Sequence, residues 1–394
     1  MTITRLHALV AAGMVDSFGL ALGWTVFVLY AAESQGLGAA GAYGAAMLVG
    51  VALSAPATSW IAARLSGRRL LRLTATSEAG LRVCAFALLF AEAPLPVVAA
   101  VVMATNVAAW SAYAGMRAEV ASVDARPQTM TGYVVAIAAV EALGVAAGAV
   151  LPVGAASGAG PLMLGVVAFY AASLLPTLVV AGGSHVPRAR RTPLGAGVIR
   201  QARPLTAGLA VMALASGPTL LSAALALKLH GRPAVAASAL AFMLGSLLAP
   251  AAASAIARRG WKPAMAWPLL GLGMIAGWVL APVHVAALVL AQLLAGLSMS
   301  AFEGMMDVRV ATGAADRHVT AALAWAASAR SLGSALAIAA APAAIALWSV
   351  TTASLTLGAV LLALVAGGAL WSRRPRATLV GVRQRRQPEG ETFS

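Results

Sequence analysis

The sequence predicts an all-α, polytopic membrane protein with twelve transmembrane helices built as two similar halves. The 394-residue chain is 61% hydrophobic and only 10% charged, whereas soluble domains carry roughly 25% charged residues. Apolar stretches long enough to cross a bilayer, about 20 residues each, recur along the whole chain. The chain also repeats itself at long range, because residues 111–144 align without gaps on residues 300–333.

The first apolar stretch could be mistaken for a secretory signal peptide, because Arg5 precedes it. It is longer than the roughly 7–15-residue apolar region of a signal peptide, and it contains Asp16, so it is predicted to be the first membrane helix. The other spans follow after short polar connections. The twelve predicted spans are 8–31, 38–63, 70–91, 94–116, 129–153, 160–182, 204–227, 234–257, 264–283, 285–306, 319–343 and 350–371.

The distribution of basic residues predicts the topology. Of the 27 Lys and Arg residues, 23 lie on one side of the membrane if the N-terminus is cytoplasmic, and two, Lys228 and Arg232, lie on the other side. This asymmetry satisfies the positive-inside rule and predicts that both termini are cytoplasmic, in the inner membrane of a bacterium. The net charge of +15 therefore reflects membrane topology, and no nucleic-acid partner is predicted.

Two polar, basic segments divide the chain. Residues 183–203 are rich in Gly, Pro and Arg and predict a cytoplasmic linker between an N-terminal six-helix bundle, 1–182, and a C-terminal six-helix bundle, 204–371. Residues 372–394 are basic and lack hydrophobic periodicity. We expect them to form a disordered cytoplasmic tail that can touch anionic lipid headgroups.

The internal repeat favours a transporter. Two parallel six-helix repeats are a known transporter plan, with the substrate site near the bilayer midplane at the repeat interface. Upstream, 47–69 resembles 243–262, with Pro56 opposite Pro250. The identities in the gap-free alignment are Ser111, Ala112, Gly115, Met116, Thr131, Leu143 and Gly144 with Ser300, Ala301, Gly304, Met305, Thr320, Leu332 and Gly333.

The twelve spans, the repeat and the basic loop after the second span together resemble the major facilitator superfamily, over about residues 5–372. The family motif G-x-x-x-D-R/K-x-G-R/K-R/K corresponds here to 60–69, where Gly67, Arg68 and Arg69 fit. Trp60 and Arg64 replace the expected Gly and Asp. In the family that acid helps to close the cytoplasmic gate, so we expect this gate to be held differently. The resemblance implies transport by alternating access, and a monomer.

One further feature resembles the drug and metabolite efflux members of the family. These antiporters carry a Gly-rich motif in the fifth span, and Gly144, Gly148 and Pro152 reproduce part of it. The arginine often found in the fourth span of drug antiporters is missing, because that neighbourhood reads Ala-Thr-Asn-Val at 104–107. The partial motif in the fifth span is thus the feature of this resemblance that favours export over uptake.

Four carboxylates fall inside predicted spans: Asp16, Glu78, Glu141 and Glu303. A charged group at the bilayer centre costs roughly 2.5–3.5 kcal/mol on insertion scales, so such residues face a cavity or pair with one another. A carboxylate held away from water can also take up and release a proton. These four residues are therefore the candidates for proton coupling.

Two arginines also lie inside spans. Glu78 and Arg82 are four residues apart on one helix face, which is typical of a local ion pair; a coupling role for Glu78 is the alternative. Glu141 and Arg330 occupy equivalent positions in the two repeats. We expect them to face each other across the central cavity, where Glu141 carries the proton and Arg330 tunes it or contacts the substrate. A structural pairing of each with other residues is the alternative.

Aromatic and amide side chains are the candidates for binding substrate. Asn106, Trp110 and Tyr113 share one face of the fourth span, and Trp24, Tyr133 and Trp325 could join them. Trp and Tyr near helix ends are also typical interfacial anchors. In the tenth span Gln292 precedes Glu303 on one face, and Glu303 could instead form an inner gate with Asp307 and Arg309.

The sequence therefore predicts a secondary active transporter, with proton-coupled export of a small amphiphilic organic compound. Proton-coupled uptake or facilitated diffusion of a nutrient, possibly anionic with Arg330 as its anchor, is the first alternative, and a non-transporting membrane sensor or assembly factor is the second. No P-loop, zinc-protease motif or nucleophile elbow occurs in the sequence. No enzymatic activity, cofactor or metal is predicted.

Overall fold

The computed structural model describes twelve helices, most of them interrupted only by short turns. The described residues are 2–124, 127–152, 160–184, 186–188, 202–313 and 319–373. The helices are α1 (Thr2–Ser34), α2 (Gly36–Ala62), α3 (Gly67–Phe90), α4 (Leu95–Val123), α5 (Pro127–Val150), α6 (Pro161–Ala172 and Leu175–Ala181), α7 (Ala202–Ala215, Gly217–Leu220 and Ser222–His230), α8 (Arg232–Arg258), α9 (Pro263–Ala276 and the 3₁₀ turn Gly277–Val279), α10 (Val285–Gly313), α11 (319–348) and α12 (350–373).

Each predicted span corresponds to one of these helices. Eight helical stretches of the described chain are long and apolar enough to cross a membrane, and three shorter apolar helices supply α5, α7 and α9. The longest stretch, 322–370, contains α11 and α12, which Ser349 separates with φ of +69°. Ser349 Oγ accepts a hydrogen bond from the Thr352 amide at 3.3 Å, which satisfies one of the free N–H groups at the start of α12.

The two halves have the same internal packing. In the first half α1 packs on α5, α2 on α4, and α3 on α4 and α6; in the second half α7 packs on α11, α8 on α10, and α9 on α10 and α12. Adding six to each helix number converts the first set of contacts into the second. The two six-helix halves are therefore related by approximate symmetry, as the repeat predicts.

The helices of each half approach one another closely at glycine residues. A Cβ added to Gly144 would lie 2.6 Å from the Phe18 carbonyl oxygen, so α5 sits directly on the backbone of α1. Gly333 does the same in the second half, where an added Cβ would lie 2.3 Å from the Leu209 carbonyl oxygen of α7. Small residues permit this backbone approach in membrane helix pairs.

Two symmetric helix pairs join the halves, α2 with α11 and α5 with α8. Helices α1, α4, α7 and α10 lie between these pairs, with α1 also in contact with α7, while α3, α6, α9 and α12 make their main described contacts within their own half. A hydrogen bond of 2.9 Å from Ser328 Oγ to the Ala52 carbonyl crosses the α2–α11 contact. Helices α1, α4, α7 and α10 are therefore placed to line a central cleft between the two halves.

The two ends of the molecule pack differently. We call the end that bears Arg64, Arg259 and the start of α1 the basic end, and the other the arginine-poor end. At the arginine-poor end one hydrophobic core contains residues of both halves, such as Phe27 and Leu225. At the basic end the described residues form two separate cores, one in each half. Among the described residues, a hydrophobic core shared by both halves is therefore found at the arginine-poor end.

Candidate functional site

A buried ion-pair cluster occupies the middle of the first half. Arg82 of α3 is 0% exposed and its guanidinium binds Glu78 of the same helix and Asp16 of α1, the latter at 2.9 Å. It also donates to the Tyr170 carbonyl oxygen at 2.6 Å and to Ser173 Oγ at 2.9 Å, both in α6. The guanidinium carbon lies 4.6 Å from the centre of the Tyr170 ring. Three helices therefore share one cation.

The predicted local pair of Glu78 and Arg82 is present, and it is larger than predicted. Asp16 joins the pair from α1, which places two of the four predicted coupling acids on one guanidinium. Glu78 is 1% exposed and its Oε2 atom has no hydrogen-bond partner among the described residues. Arg82 is thus a positioning residue that holds two carboxylates side by side.

A cavity of about 160 Å³ adjoins this cluster. Glu141 of α5 and Ser17 of α1 both lie on its wall. The cavity therefore brings three of the four predicted coupling carboxylates together. Its lining residues are Asp16, Ser17, Leu20, Glu78, Ala109, Trp110, Tyr113, Ile137, Ala138 and Glu141.

The aromatic wall of the cavity comes from α4. Trp110 and Tyr113 pack edge to face, with ring centres 5.5 Å apart, and Trp110 is 43% exposed. Tyr133 lies behind Tyr113, with ring centres 6.3 Å apart, and is buried against Gly13. The prediction that Trp110 and Tyr113 share one face of the fourth span agrees with this placement.

The other half carries a separate charged group. Arg330 of α11 binds Asp307 at 2.5 Å and lies 3.8 Å from Glu303, both in α10. The side chains of Glu303 and Asp307 are 42% and 41% exposed. The structure therefore places the expected partners Glu141 and Arg330 in different groups, each with residues of its own half.

The remaining substrate candidates lie outside this cavity. Asn106 is buried, donates to the carbonyl oxygen of Val102 at 2.9 Å and packs against Gly50 of α2. Trp24 stacks on Phe27 in the shared core at the arginine-poor end, with ring centres 5.5 Å apart. In the second half Trp325 packs against the core of the basic end, and Gln292 is buried in α10 with no described partner for its Nε2 atom.

The basic end of the first half is held by an acid that the sequence reasoning missed. Glu119, buried near the end of α4, binds Arg5 at 2.9 Å and accepts a hydrogen bond from Ser184. Gly67 lies against it, because an added Cβ would sit 2.9 Å from Glu119 Oε1, and the Gly67 amide binds the Val186 carbonyl at 3.1 Å. The signal in the sequence was the scarcity of acids, which number 12 in all.

The predicted gate arginines make fewer described contacts than Glu119. Arg68 and Arg69 are exposed at the start of α3. Arg64, which replaces the expected acid, stacks over the exposed Trp60 ring at 3.8 Å. Arg309 is exposed beside the Arg330 group. These described contacts lie within one half each, so the residues of the family motif do not join the halves here.

An ion pair does join the halves at the arginine-poor end. Arg232, at the start of α8, binds Glu33 of α1 at 2.9 Å and donates to the Leu151 carbonyl oxygen after α5 at 2.6 Å. Both partners belong to the first half. This contact adds a polar link to the shared hydrophobic core at the same end.

The site has the groups for proton and ligand binding. Two carboxylates bind one guanidinium and a third lies on the wall of the adjoining cavity, so the group as a whole can take up protons to reduce uncompensated charge. In the described part of the chain no set of three or more His, Cys, Asp and Glu side chains is arranged to hold a metal ion. The Arg82 cluster, the adjoining cavity and Glu141 are therefore the candidate site.

Solved structures resemble the chain over nearly its whole length, although neither a family model nor a curated protein sequence matches it. The nucleoside transporter NupG superposes with a TM-score of 0.73 at 13% identity, covering 94% of this chain and 100% of that one. A POT-family transporter in complex with a thioalcohol-conjugated peptide gives 0.69 at 11% identity, with coverage of 94% and 99%. A D-xylose–proton symporter gives 0.65 at 15% identity, with coverage of 94% and 96%. The protein therefore has the all-helical, polytopic fold of the major facilitator superfamily, as its sequence predicted.

Proposed function

We propose that the protein is a proton-coupled secondary transporter that exports a small amphiphilic organic compound by alternating access. The halves 1–182 and 204–371 rock against each other around the central cleft, connected by 183–203. The basic end faces the cytoplasm, in the inner membrane of a bacterium, with both termini inside. Most of the linker, including 189–201, and the tail from 374 lie outside the described residues.

The observation that carries this proposal is the grouping of Asp16, Glu78 and Glu141 around one cavity. A transporter driven by a proton gradient needs a group that binds a proton in one state and loses it in another, near the substrate. Asp16 and Glu78 share the single guanidinium of Arg82, and Glu141 adds a third carboxylate to the wall of the same cavity. A purely structural cluster would need only as many acids as it has bases.

The glycines of α5 support the same assignment. Gly144 and Gly148 lie against the Phe18 and Leu22 carbonyls of α1. This contact brings Glu141 beside Ser17 and hence next to Asp16. The partial motif that resembles efflux transporters therefore lies where α5 packs on α1 beside the proposed coupling acids, and the resemblance itself supports export over uptake.

A susceptibility and accumulation assay tests the proposal. The protein is expressed in an efflux-deficient bacterium and challenged with chemically diverse antibiotics and dyes, beside Glu141→Gln and Asp16→Asn. Exposed Glu92, outside the cavity, gives the matched control Glu92→Gln. We expect wild type and Glu92→Gln to lower accumulation, and the two cavity variants to lose this protection at equal expression.

Two results would contradict the proposal. If wild type lowers the accumulation of no compound, the export assignment is wrong and uptake of nutrients is screened next. If Glu141→Gln and Asp16→Asn protect as well as wild type, export is retained and the coupling role of these carboxylates is wrong.

A further inference from the structure

We propose that the cavity binds the positively charged head of an organic monocation, such as a quaternary or protonated amine carrying an aromatic or apolar body. This inference rests on the proposed function, because it names the substrate class of the same site. It excludes organic anions and favours cations over neutral compounds of equal size.

The first step is the charge of the cavity wall. Its acidic members are Asp16, Glu78 and Glu141, and the residues that line it include no Lys, Arg or His. Arg82 is not among the described lining residues, and its terminal nitrogens are engaged by two carboxylates and by α6, which leaves only its buried Nε without a described partner. A ligand in the cavity therefore meets carboxylate oxygens and not the guanidinium.

The second step is an acceptor that lacks a donor. Glu78 is 1% exposed, lines the cavity, and has no described hydrogen-bond partner for Oε2. A buried carboxylate oxygen without a partner is costly, because its desolvation is not compensated. A cation in the cavity would compensate this oxygen, as would a proton when the cavity is empty.

The third step is the aromatic wall. The Trp110 ring is 43% exposed and lines the cavity opposite the acids of α1 and α3. A cation over such a ring is attracted by its negative face, and Trp is the strongest of the aromatic residues in this respect. Arg117 already lies 5.8 Å from the Tyr113 ring centre, so Trp110 is the ring that remains for a ligand.

The fourth step is size. The cavity of about 160 Å³ has room for roughly five water molecules at about 30 Å³ each, which is smaller than a typical drug-sized pocket of roughly 300–1,000 Å³. It can therefore hold a compact charged head, with the body of the molecule left in the central cleft. The charged group around Arg330 is poorly suited to bind an anion, because Arg330 is bound by Asp307 and lies beside Glu303.

The test compares three probes on purified, monodisperse protein by isothermal titration calorimetry. They are benzyltrimethylammonium, its neutral carbon isostere neopentylbenzene, and benzenesulfonate. We expect the cation to bind at least about tenfold more tightly than the isostere, and benzenesulfonate not to bind. Glu141→Gln should weaken the cation at least about tenfold, Trp110→Leu about 3- to 10-fold, and Glu92→Gln should change nothing.

The outcomes separate this inference from the transport proposal. Equal binding of the cation and the isostere, tighter binding of benzenesulfonate, or no cation binding at millimolar concentration would overturn it, even if export of other compounds is found. Selective cation binding that Glu141→Gln abolishes would support it, even if no cation is exported. If Glu78→Gln or Asp16→Asn fails to fold, Glu141→Gln and Trp110→Leu still decide, because neither residue contacts Arg82.

Discussion

At the scale of the residue, the energetics of the site depend on Arg82. A guanidinium with no access to water loses its hydration, and its attraction to nearby carboxylates offsets this cost only if its donors are well placed. The two terminal nitrogens of Arg82 meet this condition through two carboxylates, the Tyr170 carbonyl and the Ser173 hydroxyl, while its Nε atom has no described partner. Such a group cannot lose one member without leaving another buried and uncompensated.

Replacing Arg82 by Met should therefore destabilise the protein strongly. Breaking a buried ion pair by removing one partner typically costs about 3–5 kcal/mol, because Glu78 and Asp16 would lose their cation. Arg330→Met is the matched control, and it should cost less because its partner carboxylates are exposed and can be hydrated. Thermal unfolding of the detergent-solubilised variants measures both effects. Equal losses for the two variants would show that burial of the partners does not matter.

Part of this residue-level picture could be predicted from the sequence. The spacing of Glu78 and Arg82 predicts their pairing, because residues four apart on a helix are neighbours. The contacts of Arg82 with Asp16 and Tyr170 could not be predicted, since they depend on how α1 and α6 pack on α3. Glu141 and Arg330 are equivalent in the repeat, but the expected juxtaposition was not found, because Arg330 pairs with Asp307 of its own half and Glu141 lines a cavity of the other half.

At the scale of the element, glycine decides how closely the helices pack. Gly144 and Gly333 occupy equivalent positions, and each lies on a carbonyl of the first helix of its half. The sequence showed these glycines as repeat identities but did not show which helix they face. The spans 319–343 and 350–371 predicted a break before residue 350, but they did not predict the positive φ of Ser349 that forms it, because such a Ser has no distinctive local pattern.

Gly144→Ala and Gly333→Ala should each destabilise the protein by about 1–3 kcal/mol, the usual range for a side chain forced into a packed interior. The added methyl carbon would lie 2.6 Å from Phe18 O in one case and 2.3 Å from Leu209 O in the other. Gly304→Ala on α10 is the control, because an added Cβ there meets nothing within 4 Å. Unfolding in denaturant compares the three. A loss for Gly304→Ala as large as the other two would contradict the close-contact explanation.

At the scale of the whole molecule, the two ends differ in what holds the halves together. One apolar core spans both halves at the arginine-poor end, and Arg232 adds a polar link there to Glu33 and Leu151. At the basic end the described residues form a separate core in each half. Under the proposed orientation, in which the basic end faces the cytoplasm, this arrangement corresponds to an inward-facing transporter.

Arg232→Ala should raise the population of molecules that open at the arginine-poor end. The variant loses the ion pair with Glu33 and the bond to Leu151, which together favour the closed arrangement. A cysteine introduced at Leu221, buried in the shared core, reports the change through its rate of maleimide labelling in a Cys84→Ser background. We expect this cysteine to be labelled faster in the Arg232→Ala variant than in the same background with Arg232 retained. An unchanged rate would show that the hydrophobic core alone holds this end.

The contacts that follow α6 tether the start of the linker to the first half. Gly67 binds Val186, and Arg188 donates to the Ala63 carbonyl, so the chain up to residue 188 is attached to the first half. Only the 13 residues 189–201 then bridge to α7, and they can reach at most about 45 Å when fully extended. Among the described residues, the apolar core at the far end joins the halves independently of this covalent connection. Co-expressed fragments divided between 189 and 201 should therefore reassemble into a working pair.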